Sequence, residues 1–332
     1  SRGLGDVYKR QMAYVALIAT GGTIASTRSE DGASVGVTAE MFDLGTESNL
    51  EVRRVDAILE GSYRLTFEDL SVIADVVNRS LKDSDCIGAV ITHGTDTMEE
   101  TAYFLDLVIA TDRPIVLTGA QRTFDTPDSD GPRNLQDSLT VAASPRARNL
   151  GAVVCFAGNV WNARGVRKCH TIQSQAFTGT KVGEVYEDAF TLVALPETNE
   201  TLDFDAGKFS EGNIPIITYG IGTDTVLFEA ARATDPTAIV LEGCGSGNAG
   251  IGFEEAIAKT AESDIPVILA TRVEEGPVIP MYGNGGGVDL VRAGAITAGT
   301  LSVFQARVLA AVAASTAENF QAFRERFIRL RG

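Results

Sequence analysis

Histidine and cysteine are scarce in this sequence: two of the first, His93 and His170, and four of the second, Cys86, Cys155, Cys169 and Cys244, in 332 residues. The cysteines lie far apart and never form C-x-x-C, so neither a zinc site nor a disulfide scaffold is indicated. Cys86 and Cys155 fall in apolar runs and read as free buried thiols. No G-x-S-x-G elbow or H-E-x-x-H helix accompanies the histidines, which leaves metal and serine-histidine chemistry without support. No metal or cofactor is expected. Basic residues are also in short supply, 28 against 44 acidic ones, and the net charge of −16 argues against nucleic acid or an acidic membrane as partner. A small neutral or zwitterionic ligand suits it better. No apolar run approaches the ~18 residues needed to span a bilayer.

With 44% hydrophobic and 22% charged residues, the chain has the make-up of an ordinary globular protein long enough for two domains. Residues 1–11, SRGLGDVYKRQ, lack an apolar core and precede Met12, after which strand-like sequence begins at once. They read as an appended or misassigned leader. A start at Met12 leaves no room for a signal peptide, and a cytoplasmic location is the expectation.

The apolar, non-alternating run Cys86–Thr92 is that of a parallel strand covered on both faces. After His93-Gly94-Thr95-Asp96, Thr97 and Glu100 fit a T-x-x-E capping box, and Met98, Ala102, Leu105 and Ile109 give a buried helical stripe. Thr95 and Asp96 then sit at a strand's carboxyl end and beside a helix N-terminus, where open α/β sheets bind ligands. The competing reading is that they only cap the helix. Upstream, strand Tyr14–Ala19 runs into Thr20-Gly21-Gly22-Thr23, and the small, polar stretch Ser26–Gly45 reads as a loop or hairpin over the site. Further strands are expected at Ile115–Thr118 and Gly151–Ala157, with helices within Arg64–Leu81 and at Asn134–Ala143; Gly158–Thr171 reads as a polar return loop. This alternation predicts a doubly wound, mostly parallel sheet in a catalytic domain spanning residues 12–194.

Residues 195–213 are acidic, contain Pro and Gly, and lack a sustained apolar pattern, so they read as a linker. A smaller C-terminal domain of the same class, residues 214–332, is expected beyond. Its elements are strands Ile214–Tyr219, Ala238–Glu242 and Pro266–Thr271, and helices Asp224–Arg232, Phe253–Ala261 and Leu301–Ala314.

Candidate chemistry rests on Thr23, the Thr95-Asp96 pair and Lys168. A threonine hydroxyl is a weak nucleophile until a base takes its proton. Lowering a lysine by ~3 from its usual ~10.4 requires ~4 kcal/mol of desolvation or charge interaction, so Lys168 must be well buried to act as that base. Otherwise, beside Arg164 and Arg167, it belongs to a solvated basic loop. Gly245–Gly250 matches G-x-G-x-x-G after a strand and before a helix, which would suit a nicotinamide dinucleotide. That reading leaves the Thr, Asp and Lys residues unexplained.

TGGTIA at Thr20–Ala25 and THGTDTMEETAYFLDL at Thr92–Leu107 resemble the two signature segments of the bacterial L-asparaginase and glutaminase-asparaginase family. VLTGAQR, DGPRN, NARGVRKCHT and GCGSGN extend the resemblance through both domains. It implies an amidohydrolase cleaving L-asparagine to L-aspartate and ammonia through an acyl-threonine intermediate. Thr23 would be the nucleophile, beside a Thr95, Lys168 and Asp96 group. Gly22, Ser62, Tyr63, Thr95, Asp96 and Ala120 would contact substrate: Ser62 its α-carboxylate, Asp96 its α-ammonium, and the Ala120 carbonyl its side-chain amide. Asn248 would reach a neighbouring subunit's site, which implies a homodimer or homotetramer. The sequence departs from the family where a lid tyrosine is expected near Ala33–Val35: no tyrosine occurs from Ala16 to Ser62. Tyr63 replaces the usual Gln or Glu, and no glutamate falls in Met281–Gly287. A glutaminase-type or other amide-specific member, or a non-catalytic amino-acid-binding module, is the alternative.

Overall fold

The computed structural model describes residues 13–29, 32–42, 50–196 and 200–332; the leader expected at residues 1–11 lies outside them. The chain opens with β1 (Tyr14–Gly21), the hairpin of β2 (Ser26–Ser29) and β3 (Gly32–Val35), and β4 (Glu51–Glu60). Helix and strand then alternate through α1 (Phe67–Lys82), β5 (Cys86–Thr92), α2 (Met98–Val108), β6 (Ile115–Thr118), α3 (Gly131–Ala143) and β7 (Ala152–Phe156). Short strands follow: β8 (Asn159–Asn162), β9 (Arg167–Lys168), β10 (Phe177–Thr178), β11 (Lys181–Tyr186) and β12 (Ala189–Leu192). The remainder comprises α4 (Ala206–Ser210), β13 (Ile216–Thr218), α5 (Val226–Arg232), β14 (Ile239–Gly243), α6 (Phe253–Ala261), β15 (Val267–Thr271), α7 (Gly287–Arg292), β16 (Ile296–Thr297), α8 (Val303–Thr316) and α9 (Phe320–Leu330).

Among the described residues, eight strands form one sheet in the order β12-β11-β8-β7-β6-β5-β1-β4. Neighbours from β4 to β7 run parallel, and β8, β11 and β12 add an antiparallel flank. A smaller sheet, β13-β14-β15-β16, is parallel throughout. The mixed α/β architecture with a larger and a smaller sheet is the one expected from the sequence.

Both faces of the large sheet are covered, which is why its strands read as unbroken apolar runs. Ile18, Ile91 and Leu117 pack in one core with α1 and α2, while Leu17, Val90 and Val116 pack in another with Leu135 and Leu139 of α3. Alternate side chains of one strand therefore serve opposite layers. Burying each such aliphatic side chain is worth about 1.5–3 kcal/mol.

One stretch differs from expectation. Residues 158–171 contain β8 and β9 rather than only a return loop, because the alternation Asn159-Val160-Trp161-Asn162 turns Val160 inward while β8 pairs with β7. Within the stretch read as a linker, residues 202–209 are held against the large sheet's helices although no apolar pattern marks them in the sequence. Phe209 is fully buried with its ring centroid 4.7 Å from those of both Phe67 and Phe104, and Leu202 N donates to Leu107 O at 2.7 Å. Phe204, whose ring centroid lies 5.4 Å from that of Phe104, and Phe209 fall five positions apart, a spacing that matches neither a strand nor a helix period. No helix among the described residues is long and apolar enough to cross a membrane.

Candidate active site

In the large sheet β4 lies on one side of β1 and β5 on the other, so chain connections diverge at the carboxyl ends of β1 and β5. Such a switch point opens a crevice between adjacent loops. Three backbone segments close its floor. Gly22, with φ of 83°, approaches Gly94 so closely that a Cβ on Gly22 would fall 2.3 Å from Gly94 N. A Cβ on Gly94 would in turn fall 2.4 Å from Ser62 Oγ. Only glycine fits at either position. Thr20 Oγ1 donates to Thr92 O at 2.8 Å, and Gly22 N donates to Glu60 O at 3.1 Å, tying these loops together.

Above this floor lies a cleft of about 370 Å³ whose lining includes Gly22, Thr23, Ser62, Tyr63, Thr95 and Asp96. These are six of the residues singled out in the sequence. Thr23 is half-buried, Ser62 and Thr95 are buried, and Tyr63 is exposed. Ala33, Ser34 and Val35 of the β2–β3 hairpin complete one wall. The hairpin thus stands over Thr23, and the phenol in the cleft comes from Tyr63 instead of from the hairpin. Residues 30, 31 and 43–45 of the stretch read as a loop or hairpin over the site lie outside the described residues.

Lys168 arrives from β9, which pairs with β10 through Lys168 and Phe177. Its Nζ donates to Thr95 Oγ1 at 2.8 Å and to Asp96 Oδ1 at 2.7 Å. The Lys168 side chain is 16% exposed and that of Asp96 57%, so this is a shielded amine with one partner open to water, not a solvated basic loop. Beyond the pair, Asp96 and Lys168 line a cavity of about 600 Å³ bounded by Glu242 of β14 and by Arg272, which directly follows β15. Asp96 thus lines both the cleft and this cavity, while Lys168 lines the cavity alone.

The helix start at Thr97 is as expected, but the capping box is not formed. Thr97 makes no side-chain cap bond to its own helix; its hydroxyl donates instead to Ser62 O at 2.9 Å. Forgoing such a cap costs a helix about 1 kcal/mol, so the hydroxyl is diverted to the neighbouring loop at some expense. Glu100 turns to Arg307 of α8 at 3.8 Å, and burial pushes its carboxyl up to about 7 because that long ion pair only partly compensates. Glu99, 6% exposed, accepts a 2.6 Å hydrogen bond from Lys168 N. Burial raises its pKa, against the opposing effects of that bond and of the Arg167 and Lys168 charges. The role of Glu99 escaped the sequence reading. One signal was available: Glu99 falls beside Met98 and Ala102 of the stripe expected to be buried, and a buried carboxylate requires a partner.

Beneath the loop, His93 is fully buried. Its Nδ1 lies 2.7 Å from Gly94 O and therefore carries the proton it donates, while Nε2 accepts from Thr101 Oγ1 at 2.9 Å. Burial lowers its pKa to about 4. Two singled-out residues are not among those lining the cleft. Ala120 is fully buried in the core that holds Ile24. Asn248 lies in the small domain, where its backbone bridges Cys244 and its Oδ1 accepts from Gly287 N at 2.9 Å. The Gly245–Gly250 motif is thus a tight turn folded on itself, ahead of α6.

Residues 14–193 match the family model described as asparaginase, N-terminal, and residues 213–327 that of the glutaminase/asparaginase C-terminal domain. A probable L-asparaginase of Deinococcus radiodurans is 34% identical over 314 residues, covering 89% of this chain and 91% of that protein. An L-asparaginase of Bacillus licheniformis is 33% identical over 307 residues, covering 90% and 94%. The crystal structure of a probable cytoplasmic L-asparaginase from Campylobacter jejuni aligns with a TM-score of 0.82 at 25% identity, over 96% of this chain and 99% of that one. With both of its parts matched and relatives aligned along most of its length, the chain belongs to the bacterial L-asparaginase and glutaminase-asparaginase family.

Proposed function

We propose that this protein hydrolyses L-asparagine to L-aspartate and ammonia through an acyl-threonine intermediate on Thr23. The observation that carries the reading is the bridge from Lys168 Nζ to Thr95 and Asp96, in a cleft that Thr23 also lines. In the first step Thr23 Oγ bonds to the side-chain carbonyl carbon of the substrate, the carbon–nitrogen bond breaks, and ammonia leaves with the proton the threonine gave up. In the second, water bonds to the same carbon, the ester bond breaks, and the hydroxyl of Thr23 is restored. Thr95, held by Lys168 Nζ, which also donates to Asp96, relays protons between the reacting groups and the amine. No cofactor takes part.

In the same reading Ser62 binds the α-carboxylate, Asp96 the α-ammonium and the Ala120 carbonyl the amide, with Gly22 and Tyr63 lining the substrate's place. Asn248 acts in a neighbouring subunit's site, in a homodimer or homotetramer, which accounts for its distance from the cleft of its own chain. A cytoplasmic location goes with this reading, in keeping with the description of the Campylobacter jejuni protein. Mass spectrometry of enzyme quenched during turnover tests the mechanism: one aspartyl group on a peptide containing Thr23 is expected. Turnover with no adduct on that peptide, and unchanged rates in Thr23→Ala, would refute it.

A further inference from the structure

We infer that the first turn of α2 is a bracket that positions two separate parts of the site: Thr97 holds the Ser62 segment, and Glu99 holds Lys168. The inference rests on the asparaginase reading above for its kinetic consequences, and on the hydrogen bonds alone for the bracket itself.

The Ser62 segment reaches the cleft at the end of β4, a strand at the sheet's edge whose residues are half-buried or exposed. Against the cleft floor it meets Gly94. On its other side it is held by Thr97 Oγ1, which donates to Ser62 O at 2.9 Å while making no bond to its own helix. Ser62 O also accepts from Leu65 N at 3.3 Å, so the carbonyl fixed by Thr97 closes the turn that carries Ser62 and Tyr63. A hydroxyl at a helix start ordinarily bonds inside the helix. Here it reaches across to residues that line the substrate's place.

Glu99 does the same for the amine. β9 is only two residues long and pairs with the equally short β10. Such a ribbon fixes a side chain poorly by itself. The buried Glu99 carboxylate accepts from Lys168 N at 2.6 Å, which pins the backbone from which Nζ extends to Thr95 and Asp96. Thr97 and Glu99 are therefore positioning residues. Both belong to one rigid helix that also follows directly on Thr95 and Asp96, so the helix sets the spacing between carboxylate-binding loop, threonine and lysine.

The test uses the full chain and the variants Thr97→Val, Thr97→Ser, Glu99→Ala and Glu99→Gln, with ammonia release from asparagine and hydrogen exchange measured on each. Thr97→Val is expected to raise KM about tenfold and leave kcat within about twofold, and Thr97→Ser to return KM to within about threefold of wild type. Glu99→Ala is expected to lower kcat about tenfold with KM nearly unchanged. Glu99→Gln, which keeps an oxygen for the Lys168 amide, should retain most of kcat. Exchange should quicken over residues 62–65 only in Thr97→Val and over residues 167–169 only in Glu99→Ala. If wild type releases no ammonia but exchange responds in this pattern, the asparaginase reading fails and the bracket stands. If wild type turns over and the variants change kcat and KM in parallel, without rescue and without localised exchange, the bracket is overturned.

Discussion

His93 offers a stability measurement whose size and sign both follow from the structure. The imidazole is fully buried, with Nδ1 donating to Gly94 O and Nε2 2.9 Å from Thr101 Oγ1, and neither partner carries a charge that would compensate a protonated ring. Its pKa falls from 6.5 to about 4 because burial disfavours the charged form. The difference of about 2.5, at 1.36 kcal/mol per unit, amounts to about 3 kcal/mol. A lowered pKa in the fold means that this stability is fully present above pH 6.5 and is lost as pH falls toward about 4. Glu100 acts in the opposite sense: raised from 4.5 to about 7, it adds relative stability as pH falls through that range. The wild-type curve alone therefore mixes the two. Urea unfolding of wild type and His93→Gln at a series of pH values separates them, since Glu100 is common to both. The stability gap between the proteins should narrow by about 3 kcal/mol between pH 7 and pH 4. A gap that does not vary with pH would refute the assignment of a buried neutral imidazole.

Lys168→Met should lower kcat by about a thousandfold, within the range for losing an acid–base group. Its melting temperature should change little, because the ion pair it breaks has Asp96 open to solvent; calorimetry alongside the rate assay checks both. Gly22→Ala meets a backbone nitrogen at 2.3 Å and a φ of 83°, so loss of several kcal/mol in denaturant unfolding, together with loss of activity, is the expected result. Phe209→Ala removes a fully buried ring stacked on Phe104 and should cost about 3–5 kcal/mol by the same measurement.

The central strands and α2 are legible in the sequence because a parallel strand buried on both faces needs an unbroken apolar run, as Cys86–Thr92 has. The edge is not. β4, reading EVRRVDAILE, is half-exposed at the sheet's margin, so its charges obscure the alternation that would mark a strand. Helix α9 lies beyond the elements assigned from sequence, although Phe323, Phe327 and Leu330 recur at helical spacing and are buried. At the site, Thr23, Thr95 and Asp96 can be placed from strand ends alone. The partners of Lys168 cannot, because 69 residues separate it from Glu99 and 73 from Thr95, and only the folded β9 brings them together. Thr97 shows the limit of local pattern. The T-x-x-E spacing marks where the helix starts, but a hydroxyl takes the acceptor that the tertiary fold presents, and here that acceptor is Ser62.

Ammonia release from L-asparagine and L-glutamine, measured side by side on wild type and Thr23→Ala, tests the central claim most directly. Wild type is expected to release ammonia from asparagine, and Thr23→Ala from neither amide. Binding of asparagine without release by wild type, or full activity in Thr23→Ala, would contradict it.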